Sequence, residues 1–133
     1  MGGKSDYLEN KFLDYVLGSV SFSPPANVYI ALFTGAPTDS ASGTEVSGGA
    51  YARVAVANST STWPAASGGS KSSGTEITFP TATAAWGTIV GFATVDASAS
   101  GNQLYWGTLT TSKTVSNGET AKFASGDIDV TED

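Results

Sequence analysis

The chain is punctuated at short intervals by Gly, Pro, Asn-Gly and Ser-rich breaks, and the runs between them are five to ten residues long. That spacing is too tight for βαβ units, which need a long crossover between parallel strands. It suits strands joined by turns and loops. Val28–Phe33 is a continuous apolar run, as expected of a central strand buried on both faces. Tyr51–Ala57 reads as a second main strand, with Tyr51, Arg53, Ala55 and Ala57 facing one way and Ala52, Val54 and Val56 the other. Thr75–Phe79, Trp86–Val95, Gln103–Leu109, Thr120–Ala124 and Asp127–Thr131 complete about seven strands. Gly87 and Gly91 mark bends or close backbone approach, and Asp96–Asn102 and Asn117-Gly118 mark turns. Residues 38–50 and 58–74 read as loops, the second anchored by Trp63.

One segment departs from this pattern. Leu8, Phe12, Tyr15 and Val16 recur at helical spacing, and Leu13 and Leu17 widen the stripe. They predict a helix over about 6–17, with Asp6 as cap, Glu9 in capping-box position and Gly18 just past the end. So short a helix is not stable alone in water. Its stripe is expected to pack on the protein's own sheet, the alternative being a neighbouring subunit. The expected fold is mainly β: a single antiparallel β-sandwich or barrel, jelly-roll or Ig-like, spanning 1–133. The helix precedes a β domain over about 27–131.

The same residues narrow the chemistry. There is no Cys and no His, which removes disulfides, thiol nucleophiles, imidazole bases and the usual zinc ligands. The 18 Ser and 17 Thr have no histidine base, and no Ser-x-x-Lys falls on the helix. Gly48-Gly49 and Gly68-Gly69 lack the Gly-Lys-Ser/Thr of a phosphate loop. Asp127, Asp129, Glu132 and Asp133 could form a calcium site or a glycosidase-like pair. A solvated edge strand and tail is the preferred reading. No enzyme activity, cofactor or metal is expected. Net charge is −6, with five scattered Lys and Arg53 as the single Arg, so direct binding to nucleic acid or an anionic membrane is not expected. No apolar stretch reads as a signal peptide or membrane span.

Candidate interface residues are Tyr7 and Phe12 on the helix, Trp63 on its loop, and Tyr51 and Arg53 on the second main strand. Trp63 either contacts a neighbour or anchors its own loop. Arg53 is expected to pair with a nearby carboxylate. Trp86, Phe92 and Trp106 are expected in the core. A sugar-stacking platform built from Trp63, Trp86, Trp106, Tyr29, Tyr51 and Tyr105 is the remote alternative.

Several tracts together carry a resemblance. They are Ser5–Asp14, Pro25–Thr34, Gly43–Val56, Trp63–Gly69, Ile77–Thr83 and Trp86-Gly87. Through them the chain resembles a family of small tailed-bacteriophage virion proteins commonly labelled phage tail fibre protein. The resemblance implies a structural virion component, made in the host cytoplasm, whose partners are the major capsid protein or tail proteins. It brings no catalytic residues. Within it, the compact acidic β fold and long loops favour a capsid decoration or cement protein present in many copies as a homo-oligomer. A tail-associated, fibre-like protein is the alternative, and a carbohydrate-binding module lies further off.

Overall fold

The computed structural model describes residues 2–132. Ten strands and one helix follow in chain order: β1 (Gly2–Lys4), α1 (Asp6–Gly18), β2 (Asn27–Gly35), β3 (Thr44–Glu45), β4 (Val54–Ala57), β5 (Ser70–Ser72), β6 (Ile77–Thr78), β7 (Gly87–Val95), β8 (Gln103–Val115), β9 (Lys122–Phe123) and β10 (Asp129–Thr131). Every strand pair is antiparallel. The main sheet runs β1-β8-β7-β2-β3, and β4 pairs with β2 as well. On that edge β2 meets β4 along Asn27–Ile30 and β3 at Phe33 and Gly35. Two ribbons, β5/β10 and β6/β9, stand apart from the main sheet. The result is an open, layered β fold and not a closed barrel.

The two-sided apolar run of β2 explains the layering. Val28, Ile30 and Leu32 face one core with Val56, Ile89 and Val115. Ile77, Phe79, Ile128, Trp63 and Trp86 close that core from the ribbons and loops. Ala31 and Phe33 point the other way, into a smaller cluster with Ala93 and Val95 and half-buried Trp106. Residue 91 has to be Gly for local packing: a Cβ there would sit 2.9 Å from Pro37 Cδ and 3.0 Å from the Gly107 carbonyl oxygen.

The sequence undercounts the strands. β1 was not expected, and β3 and β5 lie inside stretches read as loops. These pieces are two or three residues long and polar, so they carry no periodicity. Partners elsewhere in the chain define them. The strand expected over Tyr51–Ala57 begins only at Val54, so its alternation fails at Tyr51, which turns into the core. β8 runs six residues beyond Leu109 through a Thr-rich stretch, where β-branched side chains suit an exposed strand.

The helix differs most from expectation. Its N-cap is Ser5, not Asp6: the Ser5 hydroxyl accepts from the Leu8 N–H at 3.3 Å and donates to the Gln103 carbonyl. Gly18 is the last helical residue, and Ser19 takes the left-handed position. The Val20 N–H returns to the Asp14 carbonyl at 3.1 Å, closing the C-terminus. The start of α1 is tied to the loop after β2 by the Asp6 N–H on the Asp39 carbonyl. The helix contacts β1 and β8, yet only Leu8 is buried. The stripe expected to lie on the protein's own sheet is largely exposed.

Candidate interaction site

Two of the candidate interface residues, Tyr51 and Arg53, are brought together inside the fold. The Arg53 guanidinium grips Glu45 with two parallel bonds of 2.8 Å, from Nε to Oε1 and Nη2 to Oε2. Its Nη1 donates to the carbonyls of Ala97 and Ser100. The Tyr51 hydroxyl donates to Glu45 Oε1 at 2.8 Å and accepts from the Leu32 N–H at 3.0 Å. Burial alone would raise the Glu45 carboxyl. The hydrogen bonds from Arg53 and Tyr51 and the Arg53 charge outweigh it and hold Glu45 below the ordinary range. Burial, with Glu45 alongside, pushes the Tyr51 phenol well above its usual value. The bond to Glu45 holds Arg53 in its charged form. One guanidinium thus ties β3, the approach to β4 and the 97–100 turn together, as its expected pairing with a carboxylate implied. These groups satisfy one another, which gives Tyr51 and Arg53 a structural job in place of an interface one.

The carboxylates near the C-terminus do not converge. Asp127 accepts from the Ala124 N–H and closes a turn. Asp129 accepts from the hydroxyls of Ser72 and Ser70, which lower its carboxyl below the ordinary range. Glu132 pairs with Lys4 and accepts from the Tyr105 hydroxyl at 3.0 Å. Asp133 lies outside the described residues. No group of three or more potential metal ligands occurs among the described residues. Asp96 caps its own turn through the Asn102 N–H and side-chain amide, as expected.

The aromatic side chains do not form an open platform. Trp63 and Trp86 are buried in the main core. Trp86 donates to the Gly49 carbonyl at 2.8 Å and packs edge-on to Tyr51. Trp63 is 7% exposed, so its indole anchors its own loop from within and is not offered outward.

Phe12 and Trp63 do meet in one place. Both line an apolar groove of about 340 Å³ between α1, the Phe22–Pro25 segment and the sheet. Leu8, Val28 and Leu104 form other parts of its wall, and Tyr105 and Glu132 also line it. Phe12 stacks edge-on to Phe22 with centroids 6.1 Å apart. Tyr7 is half-buried on the helix, under the Lys11 ammonium. Beyond Phe12 the surface stays apolar. Leu13, Tyr15, Val16, Leu17 and Val20 are all more than half exposed. Phe22 and Val20 were not foreseen as surface residues. Their signal was the width of the helical stripe, which exceeds what one docked face can cover. Among the described residues, no helix is long and apolar enough to cross a membrane.

A layered antiparallel β fold, with its polar groups consumed in turns and ties and its surplus apolar surface gathered on one helix, has the build of a structural protein. The chain belongs to the family of the podophage GP4 fiber I protein gp80, whose family model matches residues 3–131. No curated protein matches it. The family places the chain among bacteriophage virion proteins, as the resemblance implied. Its description is of a fibre, which backs the tail-fibre alternative better than capsid decoration.

Proposed function

We propose that this protein is a tail-associated, fibre-like structural component of the virion that works through protein contacts and not through catalysis. The match to a podophage fibre family over residues 3–131 carries the reading. The geometry supports it. Glu45, Asp96, Asp127, Asp129 and Glu132 each hold a neighbouring strand or turn, and the helix offers an apolar surface. An acidic chain with one Arg, itself engaged inside the fold, favours protein partners over nucleic acid or membrane. The partners are other virion proteins. Quantitative mass analysis of purified particles tests the placement. A tail fibre component should number in the single digits to low tens per particle, about as many as a tail can carry around its axis. Hundreds of copies per particle would overturn this reading and restore capsid decoration.

A further inference from the structure

Six large apolar residues are strongly exposed among those described, and all lie between Phe12 and Val20. Their exposures are 38% for Phe12, 57% for Leu13, 55% for Tyr15, 70% for Val16, 81% for Leu17 and 51% for Val20. Together they present roughly 700 Å², above the roughly 300–600 Å² of the largest apolar patch on a typical monomer. That area is close to the ~800 Å² each partner contributes to a standard protein interface.

The charges around this patch decide what can cover it. On a helix turning by about 100° per residue, Phe12, Val16, Leu13 and Leu17 fall within an arc of about 140°. Lys11 and Asp14 lie outside that arc, so the surface over these two turns is free of charge. The acidic residues Asp6 and Glu9 sit in the first turn, beside the docked end. A membrane-surface helix carries Lys and Arg on its polar face. This one carries Asp6, Glu9 and Asp14 against Lys11, in a chain of net charge −6. A charged partner would meet no counter-charge in the arc. An uncharged apolar stripe on a short helix is complementary to another such stripe, and a copy of the same helix supplies one of equal area.

We propose that the C-terminal half of α1, from Phe12 to Leu17 with Val20 beyond it, is the surface through which copies of this chain associate with one another. The helices pack by Leu13, Val16 and Leu17, and Phe12 links that contact to the apolar groove beside it. The inference does not depend on where the particle carries the protein.

Sedimentation of the purified chain and of a Val16→Glu/Leu17→Glu variant tests it. The wild type should show at least twice the 13.4 kDa chain mass at micromolar concentration. The variant should run as one chain, its self-association weakened at least about tenfold. Both sites are exposed, so its far-UV circular dichroism should be unchanged. The chain has no Cys, so a single Val16→Cys substitution gives a clean second readout. It should form a disulfide-linked dimer on mild oxidation, whereas Asn117→Cys on a distant turn should not. A wild-type protein that stays at the mass of one chain would overturn the proposal, and this includes the case in which only another virion protein covers the helix. A Glu variant that keeps the oligomer, or equal cross-linking at residues 16 and 117, would do the same.

Discussion

Arg53 does more structural work than any other charged residue here. It makes two bonds to Glu45 and two to backbone carbonyls from a mostly buried side chain. Arg53→Ala should cost about 2–3 kcal/mol in urea denaturation, because Glu45 and two carbonyls lose their donor together. Arg53→Lys should recover only part of that, since an ammonium cannot reproduce the planar two-point grip. Glu45 also sets a pH dependence. Its folded value lies below the unfolded one, near 4.5, so its stabilisation is complete above pH 4.5 and is lost as pH falls through the folded value. Denaturation midpoints measured from pH 6 down to pH 3 should fall more steeply for the wild type than for Glu45→Gln. At this scale the sequence was informative where a residue type was scarce. A single guanidinium in a chain with twice as many acids as bases predicts its own ion pair. Trp63 was less legible. A Trp in a Ser/Thr/Gly tract reads equally as an exposed anchor or an internal one, and the choice depends on Ile77, Phe79 and Ile128, far along the chain.

Elements were legible where apolar residues repeat and illegible where pairing alone makes a strand. β2 and β7 carry enough Val, Ile and Phe to declare themselves. β1, β3 and β5 exist because β8, β2 and β10 hold them. For α1 the period gave the element and the wrong partner. A stripe wide enough for two faces meets a sheet that covers only its first turns. The cap that joins helix to sheet is Ser5, buried and bonded to both Leu8 and Gln103. Ser5→Ala should lower stability by about 1–2 kcal/mol. Amide hydrogen exchange should then show faster exchange in the first turn of α1 while β2 and β7 keep their protection.

For the molecule as a whole, the main core is closed by residues from opposite ends of the chain. Phe79 from the segment after β6 is 2% exposed and stacks on Tyr51 and Phe123. Phe79→Ala should cost about 3–5 kcal/mol, read as a fall in the urea midpoint with little change in slope. The layered β class was readable from turn spacing, but the pairing order was not, because no local signal says that β10 pairs with β5. The same long-range closure shows at the chain ends. Lys4 and Glu132, 128 positions apart, form an ion pair beside Tyr105. The backbone therefore runs almost as a loop that returns to its starting point. Anything joined to either end of this chain would leave from the same pole, close to the groove and the start of the helix, while the 117–118 turn and the 97–100 turn face elsewhere as unbroken bends. The molecule has one side where it can be tethered, and the unclaimed apolar surface begins on that side.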